Sequence, residues 1–401
     1  MPWCVSRLDG CMGNELTLAE VCDEIVDCVN RTAPEDLDGE YFAVGTPAMR
    51  GNVVNLSEAR TITKETFVKW TRRLVPEPGD LLLAREAPVG PVIRIPEGGR
   101  YAAGQRTTHL RANPNVVHPR YLYYLLISPA VQLRIQAGAM GSTVPHLRVA
   151  DVKSLRLPAL PPLPTQHAIA EVLGAFDDKI AANEQVVIAG EDLMRSLVAV
   201  VATSVPVREL ATHVTKSVDP TDFDKVVHFS LPAYDSEQDP VIEPGAAIKS
   251  NKFLIEQPCV LFSKLNPRFP RIWDVGNLPD LPPVASTEFI VLVPRSVSRS
   301  ALWAALAQPE VSTTLVSYAV GTSGSHQRIR PAELLELAIR DVRDLPSSSR
   351  SLLDSAGSQV DATRRQSRAL ADARDELLPL LLSGRVSIGD LENVAASSIR
   401  S

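Results

Sequence analysis

Nowhere in the 401 residues does a stretch of about 18 apolar residues run without a charge, the minimum for a helix that crosses a bilayer. The N-terminus also lacks the basic segment, apolar core and cleavage site of a secretory leader, so a cytosolic protein with no membrane association is expected. Cysteine is scarce. Cys4, Cys11, Cys22, Cys28 and Cys259 include no Cys-x-x-Cys pair and no cluster with histidine at metal-ligand spacing, which leaves reduced thiols and no metal as the expectation. Two further absences bear on catalysis. An adenine methyltransferase would need an Asn/Asp-Pro-Pro-Tyr/Phe tetrapeptide for the flipped base and a Gly-rich turn for its cofactor. "NPRF" at 266–269 has Arg268 in place of the second proline, and no Gly-x-Gly turn follows an N-terminal strand, so self-sufficient methyl transfer is set aside.

What is present is enough apolar residue, 45%, to fill two cores at this length. The net charge of -6 hides a strong asymmetry. Residues 1–40 carry 2 Arg/Lys against 10 Asp/Glu, whereas residues 41–150 carry 14 against 6. A smaller basic region, Lys249, Lys252, Lys264, Arg268 and Arg271 with only Glu256 opposing, lies in the second half. Basic clusters of this kind fit either solvated faces or a polyanionic partner.

The chain repeats itself. Residues 120–158 lie over 300–340 at an offset of 180 without a gap, matching Leu122/Leu302, Leu126/Leu306, Pro129/Pro309, Val131/Val311, Gly141/Gly321, His146/His326, Arg148/Arg328, Leu155/Leu335 and Leu157/Leu337. Each copy reads as a helix (120–136; 300–316), a Gly/Ser/Thr loop carrying His and Arg, and a short returning element. Upstream, "GDLLLAREAPVGPVIRI" at 79–95 reads as two strands joined by a turn, and "QPCVLFSKLNPRFPRIWDV" at 257–275 repeats the pattern. Both halves are therefore expected to be α+β.

Between the halves stands "PPLPTQHAIAEVLGAFDDKIAANEQ", 161–185. After its prolines, and with Thr165 as the expected N-cap, Leu173, Ile180, Val187, Met194 and Val201 recur seven apart beside Ile169, Phe176, Asn183, Gly190 and Leu197. A weaker stripe, Leu353, Val360, Leu370, Leu377 and Leu381, closes the chain. Stripes this narrow are expected to bury against each other rather than each on its own domain.

These residues resemble a known family. "LPPLPTQHAIAEVLGAFDDKIAANEQ" and "ARDELLPLLLSGRV" (373–386) look like the central and C-terminal conserved regions of the specificity subunits of type I restriction-modification systems. "PGDLLLAREAPVG", "AGQRTTHLRANP" and "GSTVPHL" resemble the family's target recognition domains. The chain departs from the family pattern at Thr165 and His167, and it has "RDLPSSSR" where a second Pro-rich entrance would stand. The resemblance implies an α+β chain of two duplicated target recognition domains, 1–160 and 204–345, separated by two long helices, 161–203 and 346–401, that form an antiparallel coiled coil. It also implies a non-catalytic subunit that reads a bipartite, asymmetric site on double-stranded DNA. The helices would set the spacer and dock two methylation subunits. S-adenosylmethionine belongs to those partners, restriction subunits complete the complex, and this chain itself carries no cofactor.

Base edges need Arg, Lys, Asn, Gln, Ser, Thr or His on projecting loops, and phosphates need Arg or Lys beside them. In the first domain the candidates are Arg85, Glu86, Arg106, Thr107, Ser142, Thr143, His146 and Arg148. In the second they are Lys264, Asn266, Arg268, Ser286, Thr287, Thr322, Ser323, His326, Gln327 and Arg328. The inter-helix and partner interface is placed at Leu173, Phe176, Ile180, Val187, Met194, Leu353, Val360, Leu370, Leu377 and Leu381. Two other classes compete: an adenine methyltransferase, disfavoured above, and a two-domain coiled-coil scaffold, which leaves the duplicated basic loops without a purpose.

Overall fold

The computed structural model describes residues 15–141, 145–236, 238–318 and 327–391, and the chain divides into two units, 1–179 with 369–401 and 180–368. In the first unit four antiparallel strands lie in the order Cys22–Asp27, Thr107–Ala112, Leu81–Arg85, Val89–Arg94. The run 81–84 is apolar without alternation because both faces of its strand are covered. Leu81 and Leu83 pack with Leu122 and Leu126 of a helix, while Leu82 and Ala84 pack with Val44 and Tyr101 of a second sheet. That second sheet is Arg60–Ile62, Tyr41–Val44 and Tyr101–Ala103, with the last two parallel.

The second unit repeats the plan. Its main sheet runs Ala211–Val214, Phe289–Pro294, Cys259–Ser263, Ile272–Val275. In its other sheet Lys225–Phe229 again pairs antiparallel with Val241–Pro244 and parallel with Pro283–Ala285, and Lys252–Leu254 and Ser217–Val218 extend the edge. The duplication thus extends to strand order and pairing sense, and the fold is α+β.

Several expectations need correction. The helix expected over 120–136 is two helices, Pro119–Ile127 and Pro129–Gly138, because Pro129 cannot donate to the turn before it; Ser128 caps the second through its hydroxyl. The same break separates Arg299–Leu306 from Pro309–Tyr318. The gapless offset also fails. Leu147 N donates to Arg85 O at 2.9 Å, and its counterpart is Ile329 N donating to Lys264 O at 3.0 Å. Arg148 caps helix Val149–Lys153 as Arg330 caps Pro331–Glu336, and Leu155 O accepts from Leu18 N as Leu337 O accepts from Val207 N. These pairs are 182 apart, so the second unit gains two residues between Pro309 and Ile329. Backbone pairing, not matching side chains, fixes equivalence here: His146 corresponds to Arg328, and Arg148 to Arg330.

The central helix is Leu163–Ala199 and the closing helix Ser347–Leu382. Thr165 is not the cap: Thr165 N and Gln166 N both donate to Pro162 O, at 2.9 and 3.1 Å, and Pro164 sits in the first turn, where no N–H is needed. Val201 lies just past the helix and is buried. Within the second unit the two helices pair antiparallel. Asn183, buried, donates to Gln366 Oε1 (3.0 Å) and Ser367 Oγ (3.2 Å), Glu191 meets Arg364, and Met194 shares a core with Leu353 and Val360. Gly190 sits on this seam because a side-chain carbon there would lie 2.7 Å from Val360 Cγ2. Within the first unit Leu173 packs in one cluster with Leu378 and Leu381, and Arg374 binds Asp177 at 2.6 Å. Leu378 takes the buried seam position expected of Leu377, which is half-buried, as are Phe176, Ile180, Val187 and Leu370. No helix among the described residues is long and apolar enough to cross a membrane.

Candidate nucleic-acid interface

In each unit a connection joins an inner strand of the main sheet to the edge strand beside it, and the two connections start alike. Ala87 and Asn266 both take φ of +51°, each two residues after the carbonyl that receives the returning segment. Beyond that point they differ. The first turn has only three residues between Arg85 and Val89, with a cis Ala87–Pro88 bond, whereas the second spans 264–271 and projects Arg268 and Phe269.

Several candidate side chains are committed internally. Arg85 is 15% exposed, and its guanidinium donates to Asp27 and to Leu147 O, so it fastens the strand end to the returning segment. Thr107 is fully buried and its hydroxyl donates to Gly104 O at 2.8 Å. Lys264 is half-buried, donates to Thr287 O at 2.6 Å and lies over the Phe253 ring; burial lowers its ammonium pKa. Ser286 Oγ accepts from Glu288 N. Arg148 is held by Asp151, three residues on, as the cap of its helix.

Others face solvent. Arg106, with φ of +70°, sits 3.4 Å from Glu86, whose backbone bridges His146; Arg106 and His146 are exposed. Arg328 is exposed beside Glu288, with Nη2 3.0 Å from the carboxylate, and Gln327 O receives Asn266 N. Arg268 and Thr287 are exposed as well. The structure therefore gathers Glu86, Arg106 and His146 in the first unit, and Lys264, Asn266, Thr287, Gln327 and Arg328 in the second. Ser142, Thr143, Thr322, Ser323 and His326 lie outside the described residues.

The sequence reading passed over one basic element. Helix Lys64–Trp70 and the residues after it expose Lys64, Lys69, Arg72 and Arg73 with only Glu65 opposing. The signal was present in "KETFVKWTRR", diluted by counting charge over a window of more than a hundred residues.

Each unit is tied to a long helix by an arginine at the start of one of its shorter helices. In the first unit Arg120 binds Asp178 (2.6 and 3.0 Å) and Gly174 O (2.9 Å), and Tyr124 donates to Asp177. Gly174 leaves the room: a side-chain carbon would lie 2.5 Å from that guanidinium. Buried Gln166 adds an acceptor for His118 N and donates to Val116 O and Pro161 O, which fixes the Pro-rich entrance. In the second unit Arg299 reaches Asp274 at 2.9 Å and Asp361 of the closing helix at 2.7 Å. Burial pushes the Asp274 carboxyl up to about 7 against the pull of Arg299. The first unit has a buried triad of its own. Burial opposes the charge on Asp80, but hydrogen bonds from His109 (2.7 Å) and Arg111 (2.7 Å) win and hold its carboxyl at about 2. No group of three or more His, Cys, Asp or Glu among the described residues could hold a metal.

Residues 17–188 match the family model described as type I restriction modification DNA specificity domain. Over 88 residues the chain is 31% identical to a Mycoplasma genitalium protein named as a type I specificity subunit, S.MgeORF438P, a match that spans 22% of each protein. The crystal structure of a type I restriction-modification system S subunit from M. genitalium aligns over 94% of this chain and 98% of that one, with a TM-score of 0.53 at 15% identity. At that identity the likeness speaks for the fold alone.

Proposed function

We propose, from the match of residues 17–188 to the type I restriction modification DNA specificity domain, that the chain is the non-catalytic subunit that tells a restriction-modification complex where to act on double-stranded DNA. The observation that carries this reading is the repeated strand order in two units whose strand connections start alike and end differently. Two similar frames with different tips suit a target of two unlike half-sites. The exposed Arg106, His146, Arg268 and Arg328 and the half-buried Gln327 are the groups we assign to base edges or nearby phosphates, and Lys64, Lys69, Arg72 and Arg73 to the flanking backbone. Arg85 and Thr107 support the loops and do not read bases. The paired helices would set the spacer and receive two methylation subunits, which bring S-adenosylmethionine and adenine-N6 transfer, with restriction subunits added to the same assembly.

The test is reconstitution. With S-adenosylmethionine and DNA, the purified chain alone is expected to transfer no methyl groups, and adding its methylation subunit should yield methylation at one bipartite motif. Methyl transfer by the isolated chain, or methylation by the partner at the same motif without it, would overturn the reading.

A further inference from the structure

The exposed aromatic at the tip of the second unit's connection has no role in the recognition scheme above. Phe269 is 64% exposed. An isolated apolar side chain on a surface is ordinary, but this one stands on a loop built to hold it. Pro267 and Pro270 fix the backbone on both sides. Phe269 N donates to Asn266 O at 3.0 Å, and Asn266 N donates to Gln327 O at 3.0 Å. The Ser312 hydroxyl donates to Pro267 O at 2.7 Å and approaches Arg268 O at 3.3 Å, tying the tip to the neighbouring helix. Arg268 lies over the ring at 5.5 Å, so a cation accompanies the aromatic face. Lys264 and Arg328 flank the base of the loop, with Glu288 the nearby acid. An ordered apolar tip among cations fits a polyanion with stacked π-faces inside it, which is duplex DNA. The three-residue turn of the first unit carries no aromatic.

We propose that Phe269 acts as a wedge at the half-site read by the second unit, stacking against or entering one base step while Arg268 holds the adjacent phosphate. The inference rests on the DNA-reading function proposed above and adds an asymmetry: only the second half-site is deformed. Steps that unstack easily, pyrimidine followed by purine, are favoured at that position.

The experiment uses the full chain with Phe269→Ala and Phe269→Trp variants, and duplexes of the target motif carrying 2-aminopurine at successive positions. The wild-type chain should brighten 2-aminopurine at one step of one half-site. The alanine variant should lose that signal and bind the target duplex about ten- to a hundredfold more weakly, the loss of roughly one stacked base. Its affinity for unrelated duplex, set by phosphate contacts, should be unchanged. The tryptophan variant should keep both signal and affinity. Wild-type brightening and affinity in the alanine variant would overturn the wedge and leave the recognition function standing. Failure of the wild-type chain to prefer its motif over unrelated duplex would overturn both. An alanine variant that binds DNA normally but no longer joins the methylation subunit would reassign Phe269 to a protein contact and overturn the wedge.

Discussion

Replacing Arg299 by methionine removes the cation shared by two carboxylates of the second unit. Asp274 and Arg299 are 7% and 14% exposed and 2.9 Å apart, and Asp361 on the closing helix is 15% exposed and 2.7 Å away. Methionine keeps much of the packing volume, so the loss is chiefly electrostatic. Breaking a buried pair by removing one partner costs about 3–5 kcal/mol, because the remaining charge is buried uncompensated. The cost depends on pH. Burial already pushes the Asp274 carboxyl up to about 7 in the folded chain, from 3.8 when free. A carboxyl raised in the folded state binds more protons there than in the unfolded chain, so stability falls as pH rises from about 4 through the folded value. Without Arg299 the folded value climbs further, and the fall continues above pH 7. One pH unit above a folded value near 7 is worth about 1.4 kcal/mol, so the variant is expected to lose about 1 kcal/mol more stability at pH 8 than at pH 5, where Asp274 is neutral in both.

Two units in one chain make a single global transition unsafe, so the measurement is hydrogen exchange of the amides in 259–263 and 272–275 at the two pH values. Asp274→Asn in the Arg299→Met background should remove the extra loss at pH 8, leaving the two pH values alike. Equal losses at pH 5 and pH 8, or no recovery with asparagine, would show that Arg299 contributes packing alone and that the electrostatic account is wrong.

Two other outcomes follow from the same frame. Exchanging residues 206–345 for the equivalent segment of another specificity subunit should change one half of the methylated motif and leave the other, read by methylome sequencing; both halves changing together would refute independent units. Asp80 is held at about 2 against 3.8, so its bonds to His109 and Arg111 contribute about 2 kcal/mol above pH 4, lost as pH falls toward 2. Asp80→Asn should cost the first unit about that much at pH 6 and little at pH 2, by exchange of the amides in 107–112.

Local pattern made some of this structure legible and left the rest hidden. The strand pair around 85–89 and the long central helix are signals carried by neighbours in sequence; both elements are present, though the second strand starts at Val89, inside the expected turn, and the helix ends at Ala199, before Val201. The end of the closing stripe shifted from Leu377 to Leu378 because Pro379 and three consecutive leucines leave periodicity ambiguous there. The helix break at Ser128 was visible in Pro129 but was outweighed by the apolar run through it. The two-residue slip in the duplication was concealed because His, Arg and Leu recur at both offsets, and only the main-chain bonds of Leu147 and Ile329 separate them. The commitment of Arg85 and Thr107 was beyond reach, since Asp27 is 58 residues from Arg85 in sequence. A residue type suited to reading bases is equally suited to holding a loop, and burial alone decides between them.

Under the proposed function, that division of labour would let one frame serve two half-sites. The bonds that fix each connection, Leu147 N to Arg85 O and Ile329 N to Lys264 O, belong to the backbone and do not depend on which side chains stand at the tip. A change confined to the tip therefore leaves the strand order, the cores and the arginine ties to the long helices intact. The first connection returns after three residues and presents Glu86 beside Arg106; the second runs on through two prolines to Arg268 and Phe269. Length and chemistry can diverge at these tips at little energetic cost to the fold, because the exposed side chains bury almost no apolar area and satisfy few internal bonds. Under the proposed function, new specificity would come from editing the tips, whereas substitution at Arg85, Thr107, Arg120 or Arg299 would weaken the frame without redirecting it.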